Sequence, residues 1–406
     1  MRFYRIVVSD PATGKVFIPN YNGRPGFTLA AADPALSTYT SLIPGASVFT
    51  VGGTNPAAQR VELDLPVIVG HSPGTEANPY VCVYGVGIAE VGQAANLNGM
   101  NIAIYGGMAR GLPLAIPAQA GRLVSGQVRQ CTGNWINNDQ TLSFFLGTAS
   151  SPSSNQTSGQ PLSQATTIPV PASNADPANI VFQWVKGQPM MAAIVSALST
   201  AFPKYTIKGA ISGSLIWPSG QADTAYFATF PQFARYVNEI SLKTIGGASP
   251  DLTLYPGVSI TLQNNVFTVQ DGTTQTVAKQ IQFTDLIGQP TWNEPNKVQV
   301  TARMRSDISP GDYVTLPPGP GIIGGNAQAQ TFNVQPGSTY SNAASGVIFS
   351  GNFQVSVVRH VGDSRGAGGT AWVTTLDCGS IGLKGDPLPA LPVVYKPNNS
   401  WGFFLP

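Results

Sequence analysis

Two stretches of this chain carry nearly the same pattern, and a repeat of that kind restricts the available architectures more than any single motif does. Residues 122–147 read RLVSGQVRQCTGNWINNDQTLSFFLG, and residues 347–379 read VIFSGNFQVSVVRHVGDSRGAGGTAWVTTLDCG. Each has a Ser-Gly pair, an alternating run, a polar loop, a second alternating run and a closing Gly, the pattern of a strand, a loop and a strand. Aligned on Gly126 and Gly351, the second copy is longer by the Gly-rich segment 364–370, and Trp135 and Trp372 do not align. The match is weak, and two unrelated hairpins in a β-rich chain would read similarly. A true duplication implies two equivalent substructures in one subunit.

Charge is scarce. Charged residues make up 10% of the chain, against roughly 25% in an ordinary soluble protein, while Gly (45) and Pro (34) are abundant. A surface so poor in charge disperses badly at high concentration, so burial in an assembly is expected, although the many Ser, Thr, Asn and Gln residues also hydrate a surface. With 406 residues and 42% hydrophobic content the chain can fill several cores, about two to four domains. A net charge of +2 supplies no basic stripe, so a sequence-specific nucleic-acid partner is not expected. The opening MRFYRIVVSDP has too short an apolar run for a secretory signal, and no window approaches the length of a membrane span. A cytosol-like compartment is expected. Cys82, Cys131 and Cys378 are odd in number and lack metal-ligand spacing, which reads as buried free thiols.

Local patterns divide the chain. Over 1–150, RFYRIVVSD, RVELDLPVIVG, YVCVYGVGIAEV and MNIAIYGG read as strands of a small β-barrel or sandwich. Residues 151–181 are a polar Ser/Thr/Pro-rich linker or loop. A small mixed α+β domain is expected over 182–246. Its first helix places Pro189 in the first turn and Met190, Ile194, Leu198 and Phe202 on one face, before Pro203 stops it. Its second has the capping-box spacing of Thr229 and Gln232 and a stripe of Phe233, Val237 and Ile240. Between them YTIKGAISGSLIW reads as a strand pair. Strand signals return over 247–385, with reversals at Asn264-Asn265 and Asp271-Gly272 implying a meander, and 386–406 form a Pro-rich C-terminal arm.

Enzyme signals are few. Gly70-His71-Ser72-Pro73-Gly74 matches the G-x-S-x-G elbow, but Pro73 has no backbone N–H to offer an oxyanion, and the following residues lead to a strand. His360 would have to complete a triad without recognisable partners. Glu62 and Asp64 share one face of a strand, as a glycosidase pair or a cation site would require, although a solvated strand face is the better account of them. No metal constellation or phosphate loop is present in the sequence. No catalytic, cofactor-binding or metal residue is assigned, no cofactor is expected, and the chain reads as a non-enzyme.

Particular strings resemble a known family. FTDLIGQPTW at 283–292, VTARMRSDISPGDYVTLP at 300–317 and FQVSVVRHVGDSRGAGGTAWVTTLDC at 353–378 are similar to the tail hub (baseplate hub) proteins of contractile-tailed bacteriophages, and the resemblance extends over most of the chain. It implies a mainly β fold with a small α+β domain and two related β-barrel tube domains, at 1–150 and 247–385, in a ring-forming homotrimer. Such a pseudo-sixfold ring would adapt a sixfold tail tube to a threefold central spike in the baseplate of a virion assembled in the host bacterial cytoplasm. The partners implied are further copies of the chain, a tail tube or tube-initiator protein and the central spike, with baseplate wedge and tape-measure proteins beyond them. Other readings are a tail-associated envelope-degrading hydrolase or carbohydrate-binding module, and a β-rich fibre protein. The longer loop at 363–370 in the second copy must then lie on the outer rim or reach a partner.

Overall fold

A computed structural model of the chain describes residues 1–20, 26–67, 79–111, 115–147, 180–202, 205–213, 215–218, 220–227, 230–246, 257–263, 266–271, 278–288, 290–294, 297–316, 351–368 and 370–379. Residues 151–179 of the linker expected at 151–181, the Ser72 elbow and the arm at 386–406 lie outside them, while residues 180–181 already belong to a strand. The fold is mainly β. Its N-terminal part supplies β1 (Arg2–Ser9), β2 (Val16–Pro19), β3 (Phe27–Ala30), β4 (Tyr39–Thr40), β5 (Val61–Pro66), β6 (Tyr80–Tyr84), α1 (Ile88–Gly92), β7 (Asn101–Met108), β8 (Gly121–Ile136) and β9 (Asp139–Gly147). The YVCVYGVGIAEV run does not stay extended. Gly85 takes a positive φ of 74°, which turns the backbone out of β6 and lets α1 form.

A second unit follows, with β10 (Ile180–Trp184), α2 (Met190–Ala201), β11 (Thr206–Ala210), β12 (Asp223–Phe227), α3 (Phe230–Gly246), β13 (Ser259–Gln263) and β14 (Val266–Gln270). The expected apolar stripes are the ones buried: Met190, Ile194 and Leu198 from α2, and Phe233 and Val237 from α3. Each such side chain contributes about 1.5–3 kcal/mol on burial. Among the described residues the strand pair expected between the helices does not form. β11 pairs in parallel with β14, which in turn pairs antiparallel with β13, and Val258, Ile260, Leu262, Phe267 and Val269 join the core of the helices. The boundary expected at 247 therefore moves beyond β14, because those strands bury their apolar faces against α2 and α3. The reversals expected at Asn264-Asn265 and at Gly272 lie outside the described residues.

The last elements are β15 (Lys279–Gln280), β16 (Thr291–Glu294), β17 (Lys297–Arg303), β18 (Tyr313–Leu316), β19 (Gly351–Asp363) and β20 (Trp372–Gly379). They do not make a barrel of their own. One sheet runs in the order β16-β17-β20-β19-β5-β6-β9-β8-β7-β1-β2-β3, with β15 and β18 attached through β19 and β4 attached to β1. Among the described residues no barrel closes, so the expected pair of separate barrels is replaced by an open sheet whose two ends come from different copies. The reason is local: β5, the outer strand of the first copy, bonds to β19 of the second. A single core then spans both, from Tyr4 and Ile6 to Leu376 and Cys378.

Candidate functional site

The two halves of the sheet are equivalent strand by strand. In the hairpin β8–β9 the pairs run Gln127 with Gly147, Val128 with Leu146, then a bulge at Arg129, then Gln130 with Phe145 and Cys131 with Phe144. In β19–β20 they run Gln354 with Gly379, Val355 with Cys378, a bulge at Ser356, then Val357 with Asp377 and Val358 with Leu376. The bulge falls at the same step of both ladders, where it bends the strand and strengthens its twist. Neighbours match too. β7 pairs with β8 as β18 pairs with β19, with Asn101 opposite Gln127 and Tyr313 opposite Gln354. β6 pairs with β9 as β17 pairs with β20, with Tyr84 opposite Thr141 and Arg303 opposite Val373. The alignment on the Ser-Gly pairs was two residues out: Gly126 is equivalent to Phe353, and the extra length of the second copy is shared between the loop and the start of β19.

The seam between the copies is where the charged residues gather. Along β5 and β19, Pro66, Leu65, Asp64, Leu63 and Glu62 stand opposite Arg359, His360, Val361, Gly362 and Asp363. Arg359 grips Asp64 with both forks, Nε to Oδ1 at 2.7 Å and Nη2 to Oδ2 at 2.5 Å. Glu62 accepts the Tyr84 hydroxyl at 2.7 Å and pairs with Arg60, and the bond to Glu62 together with burial lifts the Tyr84 phenol well above its ordinary value. The two carboxylates that sequence offers as a pair are thus each bonded to a partner within the chain.

The Gly-rich loop closes the same seam. Arg2 donates to the backbone carbonyls of Asp363, at 2.7 Å, and Gly366, and Arg60 reaches both oxygens of Asp363 at 3.2 and 3.0 Å. Arg365 returns the contact by donating to the carbonyl of Ala58. Burial opposes charge on Asp363, but Arg60 and the backbone N–H groups of Arg365 and Gly366 outweigh it and hold the carboxyl below its usual range. The loop fastens the second copy to the first within the chain.

His360 occupies the centre of the seam. It is 1% exposed, its Nδ1 lies 2.9 Å from the Thr374 hydroxyl, and its Nε2 meets no hydrogen-bond partner among the described residues. Burial pushes its pKa down to about 4, so it is neutral at ordinary pH. Its hydrogen bond among the described residues is to Thr374, and Ser72 lies outside those residues.

The strings that carry the family resemblance encode a buried charge network. Asp285, 1% exposed, accepts from Arg303 at 2.6 Å and from Arg305 at 3.1 Å, and Arg305 also holds Asp307 through two bonds of 2.8 and 2.7 Å. Gln119 of the first copy points its amide at Asp285, and Gln119 accepts bonds at its backbone carbonyl from Ser306. Burial alone would raise the Asp285 carboxyl, but Arg303, the Gln282 backbone N–H, Arg305 and Gln119 together keep it low. Nε and Nη1 of Arg303 have no partner among the described residues. Sequence reasoning passed over Arg2, Arg60, Asp285, Arg303 and Arg305. The signal that marks them is scarcity: in a chain this poor in charge, an Arg or Asp inside an apolar strand needs a partner.

Cys82, Cys131 and Cys378 are buried free thiols, as expected, and burial pushes the Cys131 thiol up to about 12. No group of three or more His, Cys, Asp or Glu among the described residues has the arrangement of a metal site. No helix among them is long and apolar enough to cross a membrane.

No family model matches the sequence, and no curated protein matches it. Among solved structures the fold is similar to a tail protein from Neisseria meningitidis MC58, at 10% identity and a TM-score of 0.40, covering 94% of this chain and 97% of that one. It is also similar to the 43 kDa tail protein of prophage MuSo2 from Shewanella oneidensis, at 6% identity and a TM-score of 0.40, covering 92% and 98%. A Francisella PdpA-VgrG complex overlaps at 6% identity and a TM-score of 0.38, covering 93% of this chain and 53% of that one. Overlap this loose carries no argument about what the present chain does.

Proposed function

We propose that the chain is a structural hub of a contractile phage tail, working through the geometry of its interfaces and without turnover. The observation that carries this reading is the strand-by-strand equivalence of β6-β9-β8-β7 and β17-β20-β19-β18, joined side by side in one sheet. A subunit with two equivalent units side by side can assemble three-fold while presenting six similar surfaces, which is what a threefold spike and a sixfold tube require of a part between them. In this reading the ring is a homotrimer in the virion baseplate, meeting a tail tube or tube-initiator protein on one face and the central spike on the other. Wedge and tape-measure proteins would make the outer contacts.

The commitment of Glu62, Asp64 and His360 to the seam weighs against the hydrolase reading, for which Ser72 would be the remaining nucleophile. The test is the mass and shape of the purified chain. Native mass spectrometry should give three times 42.4 kDa, and negative-stain images should show a ring with a central opening. A monomer at all micromolar concentrations would sink the hub, an elongated trimer without a lumen would favour a fibre, and labelling of Ser72 by a fluorophosphonate would favour a hydrolase.

A further inference from the structure

Two turns of the molecule are copies of each other, and they meet different neighbours. Ahead of β7, Gly99 has a φ of 80°, its N–H bonds to the Val128 carbonyl at 2.7 Å, and the Val128 N–H bonds to the Met100 carbonyl at 2.8 Å. Ahead of β18, Gly311 has a φ of 91°, its N–H bonds to the Val355 carbonyl at 2.6 Å, and the Val355 N–H bonds to the Asp312 carbonyl at 2.8 Å. Val128 and Val355 are equivalent, so the turn belongs to both copies. In the first copy the Gln127 amide donates to the Gly99 carbonyl at 2.7 Å and closes the turn from within. In the second, the side chain of Gln270, from the end of β14 in the helical unit, lies so close over Gly311 that a Cβ there would run into it. The next residue, Asp271, is 1% exposed and accepts the Ser212 N–H at 2.6 Å. On the sheet side stands Tyr313, 2% exposed, where the first copy has the exposed Asn101. Burial and the Asp271 carboxylate raise its phenol above the ordinary value.

We infer that Gly311 and Tyr313 form a socket for the end of β14, a latch that fixes the helical unit to the second copy and lets it swing when undone. The helical unit buries its apolar side chains in a core of its own, and the core beneath the sheet runs through both copies without drawing on it. Units that share no apolar core move relative to one another by default, so their placement rests on the contacts at their boundary. Gln270 and Asp271 meet the sheet at that boundary. The socket is particular to the second copy: the first has the same glycine turn, but Gln127 fills it and no tyrosine stands beside it. Any side chain at 311 would displace the Gln270 amide, and the backbone there favours glycine as well. A latch made of a few polar groups on one turn holds the unit at rest and yields at the cost of one or two buried hydrogen bonds. The inference stands apart from the hub reading and does not need an assembly.

Spin labels on either side of the latch test this directly. Tyr226→Cys on β12 and Thr284→Cys, in the turn that Leu286 ties to β17, supply two exposed thiols, while the native thiols are buried. Diluted into unlabelled chain, the doubly labelled protein should give one narrow distance distribution by pulsed electron–electron resonance. Gln270→Ala with Tyr313→Phe should broaden it, raising the released fraction roughly tenfold or more, the scale of losing a buried hydrogen bond. Circular dichroism should stay that of the parent. Gln127→Ala, at the equivalent turn of the first copy, should leave the distribution narrow. A distribution already broad in the parent, one that stays narrow in the latch variant, or equal broadening from Gln127→Ala overturns the inference. If the double variant loses its dichroism, Tyr313→Phe alone, which keeps the ring and removes the hydroxyl, is read by the same criteria.

Discussion

β8–β9 and β19–β20 have the same register, the same bulge and equivalent neighbours, yet they differ in what lies on their outer edge. The edge of β19 carries β5, Arg359 to Asp64 and the clamp of Arg2 and Arg60 on the loop. The edge of β8 carries a few capping bonds and then two exposed apolar side chains. The difference is one of environment more than of fold. A ladder embedded between neighbours can hold a buried histidine and glycines packed against aromatic rings, whereas the same ladder at a boundary holds residues that tolerate water or wait for a partner.

The largest expected effect comes from the charge network that the second copy has and the first lacks, since Tyr84 stands where the second copy has Arg303. Asp285→Asn should cost about 3–5 kcal/mol by leaving the buried Arg303 guanidinium without its counter-charge and Arg305 with Asp307 alone. Chemical denaturation would check it, and a loss under about 1 kcal/mol would mean that the network is not what holds the second copy together.

Next comes pH. His360 stands where the first copy has Gly133, and its folded pKa of about 4 lies below the ordinary 6.5. The unfolded chain therefore binds more protons between those values, so His360 leaves stability intact above about pH 6.5 and lowers it as pH falls toward 4. Over that interval the loss should reach about 3 kcal/mol. Melting curves of the parent and of His360→Leu should converge in their pH dependence only if some other group is responsible.

A smaller effect separates Gly362 from its equivalent, Trp135. A Cβ on Gly362 would lie 2.5 Å from the Trp372 ring, so Gly362→Val should destabilise by about 1–3 kcal/mol, whereas Trp135→Gly should barely change the melting temperature of the unassociated chain. Equal losses at the two sites would erase the distinction drawn between embedded and boundary ladders. The smallest is Arg60→Ala: the side chain is 42% exposed, and its pairing is worth at most about 1 kcal/mol. Its clearer sign should be faster proteolysis within the 363–368 loop.

The repeat was legible in sequence because alternation in β9 and β20 survives divergence: Leu142, Phe144 and Leu146 fill the core positions that Thr374, Leu376 and Cys378 fill in the second copy. Its register was not legible. A Ser-Gly pair looks like an anchor, but bulge position and cross-strand pairing set the equivalence, and neither leaves a local signature. The helices α2 and α3 were legible from their stripes, while β13 and β14 were assigned to the wrong unit because a strand's pattern does not name its partner. Closure of each copy into its own barrel is not seen among the described residues, where β5 of the first copy pairs with β19 of the second. Of the seam, Asp64, Glu62 and His360 drew notice as candidate acids and bases, while the partner that holds Asp64, Arg359, lies 295 residues away in sequence and could not be read from it.

The contacts of Arg2 with the 363–368 loop span 361 residues and more of sequence. Contacts of that separation make a slow folder, and they also set an order in time. As the ribosome extends the chain, β1 to β9 emerge long before β19 does, and β5 must wait through the synthesis of the helical unit with its outer edge uncovered. During that interval it is a strand edge seeking a mate in a crowded cell, where another nascent copy is the nearest substitute. Chains halted before residue 351 are thus expected to be caught by chaperones or to precipitate, while those that reach residue 379 seal β5 themselves.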